Sequence, residues 1–456
     1  MKQMDSHNVI TPPIFASRYI FLNFILLTLC AQFAFSVLAM KGILLPQMLE
    51  LWAISKTQFG LLMTIYGVVH NIFYVGLSWA QDRFSPRLLI PINLVLGGIT
   101  TFFLGQTSDF QTLCFLFLVL AMCCDGAFWP AILSSVRKST SDEHQGKIFG
   151  VFEGGRGIVE LFQNALTVTL YTVLGHSLLG LELAFKFNAL IMILLGIVAW
   201  FRLPVDSLLK STGDSNTKMI EVIEGMKLSL KLPEVWLASL TGFFIYFLYT
   251  SLPFYITYLT DLHTLPVLAV SVFGIAATSA GRIGSAFPAG FIAAKFFGGT
   301  SGGMRAGLIA VVVIAASMAV LPHSAAFAWL AMTIMMPLIL IIFFMRALYF
   351  APFGEMGLPP RFSGSVIATA AFVVYLPSSF AYLLWGYLLD SYPGVSGYRY
   401  MFTILGCSAF LGALVAIQLR RRIGADSNKK IASKVIELDK KLGLFGAEKS
   451  FSSLSK

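Results

Sequence analysis

Charge is what this chain of 456 residues has least of: 12% of it is Asp, Glu, Lys or Arg, about half of the roughly 25% usual in soluble domains. With 57% hydrophobic residues and a mean hydropathy of +0.80, that shortage excludes an ordinary soluble domain and points to a polytopic membrane protein. Cysteine is scarce as well. Cys30, Cys114, Cys123, Cys124 and Cys407 all stand in apolar stretches without a CxxC pair, which leaves neither a disulfide framework nor a zinc site. HExxH and spaced His pairs are missing, and GGTSGG (298–303) lacks the Lys-Ser/Thr of a phosphate loop, so it reads as a tight turn. No ordered catalytic constellation is visible, and neither an enzyme nor a cofactor or metal is expected. The net charge of +10 is spread over short connections and a tail, which is membrane topology rather than nucleic-acid binding.

What the chain does have is a succession of apolar runs, near 19–43, 57–79, 87–106, 110–136, 147–174, 180–202, 235–260, 266–294, 304–322, 325–352, 363–388 and 398–420. Each approaches the ~20 residues needed to cross a bilayer as a helix. The expected fold is an all-α membrane protein of twelve transmembrane helices. The polar start MKQMDSHNVITPPIFASR has no small-residue cleavage site behind the run that follows, so that run reads as an uncleaved span. An even number of spans puts both termini on one side. Of the lysines and arginines in the short connections, only Lys41, Lys56, Lys186 and Arg399 fall opposite the rest, which makes both termini cytoplasmic in an inner membrane.

Residues 203–234 form the one long polar connection, with TKMIEVIEGMKLSLKL as a surface-lying amphipathic helix. They divide a six-helix half, 1–202, from a second, 235–422, followed by a basic tail, 423–456, that reads as solvated or headgroup-bound. The halves echo each other: SWAQDRFSPR (78–87) corresponds to GFIAAKFF (290–297), and DGAFWPA (125–131) to RALYFAP (346–352). Two six-helix pseudo-repeats are a common build of secondary transporters.

The polar groups inside the apolar runs are the candidate functional residues. Counting 1.5 Å per residue from the cytoplasmic charges puts Glu160, Arg282, Asp125 and His70 roughly 18–20 Å deep, with Arg346 in the same layer. A charge at the bilayer centre costs about 2.5 to 3.5 kcal/mol on insertion scales, so such residues face a cavity or each other. In GVFEGGRGIVELF (150–162), Glu153, Arg156 and Glu160 share one helix face at i, i+3 and i+7, where each carboxylate can reach the guanidinium. That ladder is either a packing salt bridge, with Gly150, Gly154, Gly155 and Gly157 admitting a neighbour, or part of a transport path. Gln32, Tyr246, Tyr249 and Tyr375 are polar at similar depth. His70 and Asn71 are candidates for proton relay or for packing.

The sequence resembles the major facilitator superfamily, and within it the organophosphate:phosphate antiporter group of sugar-phosphate permeases. The likeness spans 19–422 and is sharpest at QDRFSPRLLIP (81–91), where Asp82, Arg83 and Arg87 match the acid and cations of the loop between helices two and three. Trp129-Pro130, Gln145-Gly146 and GYLLDSYPGVSGYRYMF (386–402) support it. The resemblance implies that Asp82, Arg83 and Arg87 form a cytoplasmic gating cluster, that helix five lies against helix eight, bringing Glu160 to Arg282, and that Asp125 and Arg346 converge on a central cavity. It also exposes a departure. The arginines that hold phosphate on helices one and seven of that group are Leu38 and Leu248 here, when aligned on Pro46 and Tyr258, and Lys41 stands three residues further out.

The expected function is a secondary active transporter moving a small polar, anionic organic solute by alternating access, as an antiporter or a proton symporter. Asp125, Arg346, Arg282, Tyr249 and Gln32 are the expected substrate contacts. Glu160, Arg156, Glu153, His70, Asp82, Arg83 and Arg87 are expected in gating or coupling. Its partners would be the solute, a proton or counter-substrate and membrane lipid, with the chain acting as a monomer. An amino-acid or carboxylate permease, or a transporter-like sensor, are the alternatives.

Overall fold

The computed structural model describes residues 15, 17–76, 84–140, 145–204, 227, 229–263, 265–286, 288–322, 324–356, 360–423 and 433. Asp82, Arg83, most of the 203–234 connection and nearly all of the tail lie outside them. Among the described residues every regular element is helical. Nine helices among the described residues are long and apolar enough to cross a membrane, and a bent pair taken as one span makes ten. In chain order these are α1 (Arg18–Phe33 and Ser36–Trp52, bent by 42°), α3 (Pro86–Leu104), α4 (Phe110–Arg137), α6 (Leu178–Arg202), α7 (Pro233–His263), α8 (Val267–Ala286), α9 (Thr300–Val320), α10 (Ala328–Glu355), α11 (Val366–Ser391) and α12 (Val395–Arg422). Two further helices among the described residues, α2 (Lys56–Gly76, 21 residues) and α5 (Gln145–Val173, 29 residues), fit the expected count of twelve. At 1.5 Å per residue they reach about 31 and 43 Å, enough to span. Side chains such as Phe201, Val320 and Phe162 are largely exposed, as a lipid-facing surface requires.

Several helices begin where a side chain satisfies a first-turn amide. Ser17, Ser85 and Ser177 accept from Ile20, Arg87 and Gly180. Asp109 accepts from the hydroxyl and the backbone amide of Thr112, bonds that hold its carboxyl below the usual range.

Several helices then break, and proline accounts for most of the breaks, since it lacks an N–H and its ring clashes with the carbonyl four residues back. Leu44 leaves helical geometry (φ −135, ψ 28) just before Pro46, which is why the first helix, expected to end near 43, instead continues at an angle to Trp52. In α4 the break falls at Gly126, four residues before Pro130. In α7 it precedes Pro253, in α10 it precedes Pro352, and in α11 Pro377 sits in a 3-10 turn, Leu376–Ser379. α8 carries a π turn at Ala276–Ala280 without a proline. Hydroxyls take up freed carbonyls: Thr250 donates to Phe247, Ser251 to Leu248, and Ser271 to Ile43.

The chain forms two compact units, 1–40 with 76–210 and 41–75 with 211–456. In the first, α3 lies along α6, with Gly98 and Gly196 against Ile193 and Val95, and Gln163 of α5 donates to Asn188 of α6 at 2.8 Å. In the second, α9 and α12 pack along their lengths and α7 lies between α11 and α12. The second part of α1 and nearly all of α2, which chain order assigns to the first half, pack within this unit because residues 56–71 lie along α11.

Candidate functional site

The second unit holds two cations in a cage of tyrosines. Arg346 stands one turn before the α10 break, its guanidinium carbon 4.0 Å from the centre of the Tyr249 ring, one turn before the α7 break. Lys41, three residues before the distorted Leu44, is buried at 7% exposure, donates to the Tyr382 hydroxyl at 3.1 Å and lies 4.7 Å from that ring's centre. Tyr375 ends the α-helical part of α11 just ahead of its 3-10 turn, and its hydroxyl is 3.2 Å from that of Tyr349. Tyr246 meets the Tyr375 ring at 5.0 Å and His70 meets it at 5.1 Å. The helix breaks therefore coincide with the site, the arrangement by which discontinuous membrane helices build midplane binding sites.

Arg346 and Lys41 have no carboxylate within ion-pair distance among the described residues, unlike Lys56 with Asp261, Arg156 with Glu153, Lys186 with Glu182 and Arg422 with Glu234. Aromatic faces supply the compensating negative potential instead. Lys41 has committed one of its three donors, to Tyr382. Arg346, stacked on Tyr249, makes no hydrogen bond among the described residues, so the fork of N–H groups on its edge is available to an anion.

The first unit contains a separate buried charge. Arg156 is 2.9 Å from Glu153 on its own helix, and its guanidinium faces Trp129 at 4.7 Å, Phe35 at 5.6 Å and Phe152 at 5.8 Å. This is the Glu153–Arg156 rung of the ladder read from GVFEGGRGIVELF. Gly155 does admit a neighbour, since a Cβ there would meet Thr28 at 3.1 Å, whereas Gly150 has nothing within 4 Å. Glu160 is buried on the same helix, and Asp125 is buried at the α4 break. Gln32 is buried with its Oε1 unpartnered among the described residues. Arg87 donates to the Trp200 carbonyl at 2.6 Å, tying the start of α3 to the end of α6. In the second unit Arg282 is half-buried just after the π turn of α8.

Of the expected substrate contacts, Arg346 and Tyr249 stand together, and Tyr246, Tyr375 and His70 join them. Lys41, set aside for its register against the sugar-phosphate permeases, is the second cation of the cage. Tyr349 and Tyr382 were not singled out by sequence reasoning. Tyr349 follows Arg346 by three residues, the helical spacing that puts both on one face. Tyr382 carries no such signal, because only the fold of α11 against α1 brings it to Lys41.

The sequence profile of the Major Facilitator Superfamily matches residues 24–382. The inner membrane protein YihN of Escherichia coli (strain K12) is 30% identical over 418 residues, covering 90% of this chain and 97% of YihN. The inner membrane protein YqcE of the same organism is 23% identical over 371 residues, covering 81% of this chain and 86% of YqcE. Among solved structures, an inward-facing, unoccupied bacterial homologue of the human lysosomal transporter Spinster superposes with a TM-score of 0.71 at 16% identity, covering 89% of this chain and 98% of that one. The nucleoside transporter NupG gives 0.68 at 12% identity, covering 88% and 99%. A profile over most of the chain, a full-length relative and a fold shared with solved transporters lead to one conclusion: this protein is a multi-pass membrane transporter belonging to the major facilitator superfamily.

Proposed function

We propose that this transporter is a secondary active carrier of a small organic anion, bound between Lys41 and Arg346 within the tyrosine cage. The observation that carries the reading is two neighbouring cations with no carboxylate partner among the described residues. An unpartnered charge in a membrane interior is costly unless a ligand supplies the opposite sign. The rings of Tyr246, Tyr249, Tyr349, Tyr375 and Tyr382 give the solute's carbon frame apolar walls with hydroxyls at their tips. Phosphate bound by a first- and seventh-helix arginine pair, as in the sugar-phosphate permeases, is not the reading supported: Leu38 and Leu248 stand at those positions, and Leu248 is fully buried.

In this reading the protein sits in an inner membrane, as its Escherichia coli relatives do by name, with both termini cytoplasmic on the evidence of the basic connections. It works as a monomer of two six-helix halves. The gradient of a proton or of a counter-substrate drives it, with His70, against Tyr375, as the proton-carrying candidate. Asp125, Arg282 and Gln32 are further solute contacts. Glu153, Arg156, Glu160, Asp82, Arg83 and Arg87 serve gating.

The test is a thermal-shift comparison of phosphorylated sugars, dicarboxylates, amino acids and neutral sugars on purified protein, followed by uptake of the stabilising solute into proteoliposomes. Ligand at 100 times its Kd stabilises by about 2.7 kcal/mol, a readily measured shift. An anion that raises the melting temperature and is accumulated supports the reading. Stabilisation by neutral solutes alone would refute it, and binding without uptake would indicate a sensor.

A further inference from the structure

We propose that the hydrogen bond between Trp385 and Thr250 is a brace that fixes the spacing of Lys41 and Arg346, and that Trp385 and Thr250 thereby set which anionic solutes fit. The proposal rests on the anion-binding reading above and adds two positioning residues to the cage.

Each cation is held by one tyrosine. Arg346 stacks on Tyr249 at 4.0 Å, and Lys41 is bonded to the Tyr382 hydroxyl at 3.1 Å. Tyr249 belongs to α7 and Tyr382 to α11, so the distance between the cations follows the distance between those helices. At this level the helices are joined by the indole of Trp385, whose Nε1–H donates to Thr250 Oγ1 at 2.9 Å. Thr250 is the residue after Tyr249. Trp385 follows Tyr382 by three residues within the helical stretch Ala381–Ser391, about 4.5 Å along the axis and on the same face.

The bond continues into the α7 break. An indole can only donate, whereas a hydroxyl both accepts and donates, and Thr250 passes the bond on by donating to the Phe247 carbonyl at 2.6 Å. In a continuous helix that carbonyl would accept from the Ser251 amide. Here the Ser251 amide bonds the Leu248 carbonyl instead. The Phe247 ring lies 4.9 Å from that of Trp385 and closes the loop of contacts. One network therefore ties α11 to the turn of chain that presents Tyr249 to Arg346.

Two features make this network a spacer as well as a packing contact. Trp385 and Thr250 are both 0% exposed, and a fully satisfied buried network holds one arrangement where apolar packing tolerates several. The same stretch of α11 is also backed by α2, since a Cβ on Gly60 would lie 2.5 Å from the Tyr382 carbonyl oxygen and one on Gly386 would strike the Lys56 carbonyl. Backbone against backbone leaves Tyr382 no side-chain slack through which to follow a solute of another size. Cations preorganised in this way select anions by the separation of their charged groups.

The test is the length profile of the dicarboxylates malonate, succinate, glutarate and adipate, titrated by melting temperature on the parent, Thr250→Val, Thr250→Ser and Trp385→Phe. The parent favours one length. Thr250→Val and Trp385→Phe reduce that preference about tenfold, the worth of one buried hydrogen bond, while Thr250→Ser keeps the hydroxyl and the preference. Lower melting temperatures with an unchanged profile overturn the brace and leave the bond to stability alone. A ligand-free measurement stands beside it: with Lys41→Cys and Arg346→Cys combined, bifunctional thiol reagents of graded length bridge 41 to 346 over a narrow range, read by mass spectrometry of the linked peptides, and the range widens when Trp385→Phe is added. An equal range overturns the brace. Should the parent bind none of the four dicarboxylates, the bridging range alone decides the brace; should it bind no anion at all, the anion reading fails on its own.

Discussion

Replacing Lys41 with Met separates a ligand-binding charge from a structural tether, because the two roles change stability in opposite directions. Methionine keeps the length and flexibility of the lysine stem and removes only the ammonium. In the unliganded protein the change strands the hydroxyl of Tyr382, a residue 2% exposed, at a cost of about 1–3 kcal/mol, and forfeits a cation–π contact of about 1–2 kcal/mol. Against this stands the desolvation of a cation 7% exposed with no carboxylate partner among the described residues, an effective penalty of several kcal/mol. The terms nearly cancel, so unliganded Lys41→Met should melt at or above the parent's temperature. Anion binding is not balanced in this way: truncating one partner of a buried charge contact costs about 2–5 kcal/mol, or roughly 30- to 4,000-fold in Kd. The assay is a melting curve for each protein alone and across a titration of the stabilising anion. A lower unliganded melting temperature with an unchanged Kd would refute the argument and make Lys41 a tether of α1 to α11.

Arg346→Lys keeps the charge but loses the planar stack 4.0 Å over Tyr249, so affinity for the same anion should fall about tenfold rather than be preserved; equal Kd values in a binding titration would remove the stack from the account. Asn71 donates to the Tyr375 carbonyl and to Ser378 and Ser379 at the α11 turn, so Asn71→Ala should destabilise by about 1–3 kcal/mol, and a melting temperature equal to the parent's would show those bonds to be idle.

The sequence by itself determined the solvent, the secondary structure and the fold. Twelve apolar runs leave a backbone no alternative to helices, because lipid cannot satisfy an open N–H or C=O. The charges those runs retain, Arg346 and Arg156 among them, stand out because each is costly there. Local spacing was enough to join Glu153 to Arg156, since i and i+3 face the same way on any helix. The cage was a different matter. Lys41, Tyr249, Arg346 and Tyr382 come from four helices, and no periodicity relates positions so far apart in sequence. Prolines could be read as breaks, but where each break would present a side chain depended on the bend, as at Leu44, beyond which the first helix continues instead of ending. Only the packing of residues 41–75 against the last six helices decided that Lys41 meets Tyr382 and that Thr57 meets Asp390, because those contacts follow from backbone approach at Gly60, Gly67 and Gly386 rather than from any local preference of the chain.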